Sequence, residues 1–97
     1  MIAANDPCAV GILDTVLRAG VDVPRDLSVV GYDDSRFGRL PGIDLTSVRQ
    51  DIPKMARLAV KAVVDRLDRP TRKPKDVALS PKLVVRGTTR APRPESE

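Results

Sequence analysis

The apolar positions of this chain change period along its length. A short block, "MIAA", gives way to helical spacing and then to a second block, "LSVVGY". Each block ends on a polar pair: Asn5 and Asp6 after the first, Asp33 and Asp34 after the second. Met1 to Ala4 has the character of the last residues of a strand. Asp6 followed by Pro7 predicts a helix start, with an N-cap acceptor and then proline at the first helical position; Gly20 supplies the stop. At about 100° per residue, "PCAVGILDTVLRA" gathers Cys8, Ala9, Val10, Ile12, Leu13, Val16, Leu17 and Ala19 on an arc of about 200°. One sheet needs a stripe of only about 100° or somewhat more. The surplus is expected to meet a partner subunit or another part of the same protein.

Pro24 in "GVDVPRD" disfavours helix at Val23 and leads into a strand over Leu27 to Tyr32. This unbroken run fits a strand covered on both faces. Strand, helix and strand in this order predict a βαβ unit with parallel strands, which puts both carboxyl ends on one edge. Residues 33 to 44, with two glycines and a proline, read as a loop. Leu45 to Gln50 has strand composition, and Asp51 caps a second helix with Pro53 in its first turn. Over Pro53 to Asp68, Ala56, Ala59, Val60, Val63, Val64 and Leu67 fall within roughly 140°. The small alanines permit close approach to a sheet. Two short strands are expected at Asp76 to Leu79 and Lys82 to Gly87.

Composition removes several functions. There is no histidine and a single cysteine, Cys8. Ser-His-Asp and Cys-His catalysis, His-ligated metals and an intrachain disulfide are therefore excluded within this sequence. No secretory apolar core follows Met1 and no run is long enough to span a membrane, so a cytoplasmic location without membrane partners is expected. The net charge of +4 raises the question of nucleic acid. Its basic residues, however, collect in "RLDRPTRKPKD" and "RGTTRAPRPE", where solvated loops and a tail account for them. Tyr32 and Phe37 are the only aromatic residues, too few for a base-stacking platform.

Chemistry concentrates where the strands end. In open α/β sheets ligands bind beyond the carboxyl ends of the strands, and Asn5, Asp6, Asp33 and Asp34 fall there. A carboxylate accepts hydrogen bonds from neighbouring hydroxyls, and an asparagine amide both donates and accepts, a combination suited to the vicinal diols of sugars. Asp6 is equally explained as a cap and Asp34 as a turn residue, which leaves Asn5 and Asp33 as the ligand candidates. A Mg²⁺ site would need a third placed acid and a phosphate-binding lysine or Gly-rich loop. None is present in the pattern, so neither an enzyme, a metal site nor a cofactor is expected.

The segments "AANDPCAVGIL", "GVDVPRDLSVVGYDDS", "LTSVRQD", "MARLAVKAVVDRL" and "LVVRGTT" resemble, in order and spacing, the carboxyl-terminal part of LacI/GalR-family transcription regulators. The resemblance implies an α/β fold: a partial periplasmic-binding-protein-like (type I) domain, with a parallel β-sheet and flanking helices, over residues 1–89. Residues 90–97 are expected to form a disordered tail. It further implies an effector-sensing and dimerising fragment of a repressor, with a sugar or other small metabolite as effector. Asn5 and Asp33 would contact that effector, with Gln50 and with Ile52, just after "RQD", as further ligand-binding positions. The resemblance assigns Ala9, Val10, Leu13, Leu17 and Phe37 to a homo-oligomer interface. Nothing here resembles a helix-turn-helix headpiece, so operator DNA would be reached only through one lying outside this sequence. A fragment of a sugar importer's binding protein, which shares the fold, is the alternative.

Overall fold

The computed structural model describes residues 1–94 of the 97. Helix α1 spans Asp6–Arg18. Its N-cap is Asn5 rather than the expected Asp6: the Asn5 Oδ1 accepts from the Cys8 N–H at 2.9 Å, and the first helical bond runs from Ala9 N to Asn5 O at 3.0 Å. Asp6 is drawn away from capping by partners far along the chain, described below. Gly20 ends the helix as expected. With φ at 83° it adopts the left-handed conformation, so that Gly20 N reaches Leu17 O at 3.1 Å and Val21 N reaches Val16 O at 2.9 Å. These two bonds form a Schellman cap and satisfy carbonyls the helix would leave open.

The chain divides into two units, Met1–Arg49 with the segment that begins at Lys82, and Gln50–Pro81. In the first unit three extended segments run parallel, through single bridges Ile2 to Val30 and Val30 to Thr46. Hydrogen bonds from Val30 N to Met1 O, Ala3 N to Val30 O, Gly31 N to Thr46 O and Asp33 N to Val48 O lie between 2.8 and 3.0 Å. The expected strands at Met1 to Ala4 and Leu27 to Tyr32 are thus present as bridged extended chain. The third forms a regular strand only over β1, Ser47–Arg49. A fourth strand, β2 at Lys82–Val84, is shorter than expected and pairs antiparallel with β1, with Val48 opposite Leu83. An antiparallel member therefore sits beside the parallel set.

The core of this unit is Ala3, Ala9, Leu13, Val29 and Leu45, with Ile12, Val23, Leu27 and Ile43 packed against it. Helix α1 thus covers the extended segments through Ala9 and Leu13. Of the residues expected at a subunit interface, Ala9 and Leu13 are interior to this unit, while Leu17 and Phe37 are exposed and Val10 is half-buried.

The second unit holds helix α2, Ile52–Asp68, capped by Asp51, whose side chain accepts from Lys54 N at 3.1 Å. None of its residues is buried, although the apolar stripe through Val60, Val63, Val64 and Leu67 is the expected one. The segment Asp76 to Leu79, expected as a strand, has no regular structure and leaves Val77 exposed. No helix among the described residues is long and apolar enough to cross a membrane.

Candidate functional site

Three polar clusters meet at the carboxyl ends of the parallel segments of the first unit. The bond from Asp6 N to Tyr32 O, 2.9 Å, places the Asn5-Asp6 end beside the Tyr32-Asp33 end. Both candidate ligand residues therefore lie on the same edge. Asn5 is half-buried and Asp33 exposed. The Asn5 Oδ1 is occupied by the helix cap, and its Nδ2 donates no hydrogen bond among the described residues. The Asp33 carboxylate makes no hydrogen bond within the described chain, while its backbone N–H is held by Val48 O at 3.0 Å. A side-chain donor and a side-chain acceptor, neither hydrogen-bonded among the described residues, thus belong to residues on adjoining strand ends. Gln50 and Ile52 belong to the second unit; Gln50 is half-buried and Ile52 exposed.

Asp6 and Asp34 play a different part. Asp6 is fully buried: its Oδ1 accepts from the Ser47 hydroxyl at 2.7 Å and its Oδ2 from Ser35 N at 2.6 Å. The same Ser47 oxygen accepts from Asp34 N at 3.0 Å, so a single hydroxyl joins the helix start to the aspartate turn. Space around the Asp6 carboxylate is tight. A Cβ on Gly38 would sit 3.2 Å from Asp6 Oδ2, and one on Gly31 would run into Oδ1.

The Asp34 side chain is 1% exposed and faces two guanidinium groups. Arg49 Nε donates to Oδ2 at 2.7 Å. Arg86 Nη1 lies 2.7 Å from Oδ1 but donates to Leu45 O at 2.8 Å. Its approach to Oδ1 is a charge contact without the alignment of a directed hydrogen bond. Burial pushes the Asp34 carboxyl up, but the close charge contact of Arg86 and the hydrogen bond and charge of Arg49 outweigh it and hold the group below its ordinary range. The carboxylate is therefore ionised and acceptor-only at neutral pH.

Asp33 and Asp34 have φ of 103° and 53°, conformations that cost roughly 1–3 kcal/mol each for residues other than glycine. Their surroundings hold them there. Successive N–H groups of Asp33, Asp34 and Ser35 are bonded to Val48 O, Ser47 Oγ and Asp6 Oδ2. The carboxyl-terminal segment closes over the same strands: Thr46 N donates to Thr88 Oγ1 at 2.9 Å, and Thr88 Oγ1 donates to Val29 O at 2.7 Å. Beyond it, Arg90 N donates to Ser28 Oγ at 3.2 Å.

Sequence reasoning missed Ser47, Arg49 and Arg86. A signal for the first two exists: in "LTSVRQ", Ser47 and Arg49 are two residues apart and so share one face of a strand. Arg86 carries none beyond being a lone charge at the end of "KLVV".

A cavity of about 570 Å³ occupies the second unit, lined by Leu58, Val63, Leu67, Arg69, Pro74 and Val77 among others. It includes none of Asn5, Asp33, Gln50 or Ile52. Among the described residues no three His, Cys, Asp or Glu side chains gather to hold a metal ion.

Residues 1–89 match the family of the periplasmic binding protein-like domain. A crystal structure of a LacI transcriptional regulator from a Rhodococcus species is 46% identical, with a TM-score of 0.81 over 91% of this chain and 32% of that one. The transcriptional regulator CelR in complex with cellobiose is 34% identical, with a TM-score of 0.83 over 90% of this chain and 27% of that one. A helix-turn-helix-type regulator from Streptomyces limosus is 38% identical over 89 residues, 92% of this chain and 25% of its own length. The chain spans about a quarter of the length of the curated relatives it matches. It is a member of the periplasmic binding protein-like domain family, in the form that LacI-family transcriptional regulators carry.

Proposed function

We infer that this chain is part of the sensor of a transcriptional regulator, binding a sugar through Asn5 and Asp33. The observation that carries this is the pairing of a free amide donor with a free carboxylate on neighbouring strand ends, both held by backbone bonds. A vicinal diol matches them: one hydroxyl donates to Asp33 and the other accepts from Asn5 Nδ2. The likeness to a regulator solved with cellobiose supports a sugar as the ligand class.

Hydrogen bonds to a charged group contribute roughly 1.5–3 kcal/mol each. Losing the Asp33 carboxylate should therefore weaken binding about ten-fold to a hundred-fold. Binding acts on gene expression when the ligand favours one conformation of the regulator over another. Self-association through the exposed Leu17 and Phe37, with Val10 at its margin, is the accompanying expectation.

The test is a calorimetric and thermal-shift screen with cellobiose, maltose, ribose and arabinose on the wild-type chain, Asp33→Ala and Asn5→Ala. A sugar that shifts the wild type and not Asp33→Ala supports the assignment. Equal responses from wild type and Asp33→Ala would remove Asp33 from the site.

A further inference from the structure

The second aspartate of the turn is one that the sequence explains only as a turn residue. It lies next to an exposed carboxylate, is itself buried, and draws guanidinium groups from two separate segments. Resting on the sugar-site assignment above, we propose that Asp34 is a positioning residue. Clamped by Arg49 and Arg86, it fixes the left-handed turn that presents the Asp33 carboxylate to ligand.

Three observations carry this. Asp33 has φ of 103° and no side-chain bond of its own, so neighbours alone maintain its conformation. Glycine would adopt both φ values without strain. The chain instead places two aspartates there and spends two arginines on one of them.

A buried ion pair is seldom a net gain over well-packed apolar groups, so stability alone does not account for the arrangement. The clamp is also anchored where it constrains direction. Arg49 ends β1, whose Val48 O holds Asp33 N, and Arg86 follows β2 and is bonded to Leu45 O. The carboxylate is thus tied to the strand that carries the Asp33 N–H and to the segment beside it. Loss of the clamp frees the turn to rotate toward ordinary φ, which swings the Asp33 side chain away from Asn5.

Amide hydrogen exchange by NMR on the full chain tests the clamp without any ligand. In Asp34→Asn, the Asp33 and Asp34 amides are expected to accelerate at least about ten-fold beyond whatever acceleration the loss of global stability gives those of Ala3, Val29 and Gly31. Arg49→Gln, a milder change at a half-exposed side chain, should give a smaller increase at the same two amides, and Arg49→Lys should restore part of it. A uniform acceleration across all these amides would make Asp34 an ordinary stability residue and overturn the proposal, as would no acceleration.

The second arm measures cellobiose affinity. Asp34→Asn is expected to weaken it about ten-fold in the wild-type background and not at all in Asp33→Ala. Equal losses in both backgrounds would overturn action through Asp33. Absence of cellobiose binding in the wild type would count against the sugar assignment alone, because the exchange arm still decides the clamp.

Discussion

Replacing Arg86 by methionine should cost far more stability than replacing Arg49, although both face the same carboxylate. The Arg86 side chain is 14% exposed and the Arg49 side chain 50%. Removing a charge from a buried pair and leaving its partner behind costs about 3–5 kcal/mol, whereas a surface pair contributes about 0–1 kcal/mol. Arg86→Met also strips the donor from Leu45 O. Because Arg49 still holds Oδ2, about 3 kcal/mol is expected for Arg86→Met and about 1 kcal/mol or less for Arg49→Met.

Urea unfolding followed by far-ultraviolet circular dichroism at fixed protein concentration reads this directly. With slopes of about 1–3 kcal/mol per molar, the Arg86→Met midpoint should fall by about 1–3 M at neutral pH. The pH dependence has a definite sign. In the wild type the folded carboxyl is depressed, so its stabilisation is complete above the unfolded carboxyl's titration and is lost as pH falls through the folded value. In Arg86→Met, burial is less opposed and the folded group rises, so the variant's deficit is greatest at neutral pH. The gap between the two proteins should close in acid, where Asp34 is protonated in both. A gap that does not change with pH, or equal costs for the two arginines, would refute the buried-pair account.

Asn5→Ala should lose about 1 kcal/mol through the helix cap, whereas Asn5→Ser should keep the cap. Sugar affinity should fall in both, because neither has the Nδ2 donor, and paired thermal melts and titrations would show the separation. Gly31→Ala drives a methyl against the Asp6 carboxylate and to 2.8 Å from Leu45 Cδ2, for an expected loss of about 1–3 kcal/mol by urea unfolding. Leu17→Glu combined with Phe37→Glu should lower the sedimentation-derived association of the chain at matched stability; unchanged association would place the contact elsewhere.

Local chemistry made the helices legible. Asp51 and Pro53 announce α2, and Pro7 with Gly20 brackets α1, because caps depend on residues within one turn. The choice between Asn5 and Asp6 as cap was not legible, since both side chains can accept and the decision is made by Ser47, in a distant segment. The same holds for Asp34: a turn signal was visible, but its pairing with Arg86 joins residues far apart in sequence. Charges outside an apolar period read as solvated until the fold brings them together. At Asp76 to Leu79 the apolar run was too short to distinguish a strand from irregular chain. In α2 the spacing correctly gave an apolar stripe, yet amphipathicity alone does not name what covers it. Ala9 and Leu13 were on the apolar arc as read, but the arc does not say which part of it faces the chain's own core.

The register of β1 and β2 has a consequence for engineering. Arg49 is paired across the ladder with Lys82, so the chain departs from and returns to its first unit at adjacent points. Antiparallel neighbours can be joined by a two-residue turn such as Asn-Gly. Residues 50–81 are therefore topologically an insert at the tip of a hairpin, and excising them in favour of that dipeptide should leave a shorter protein whose remaining strands keep their alignment.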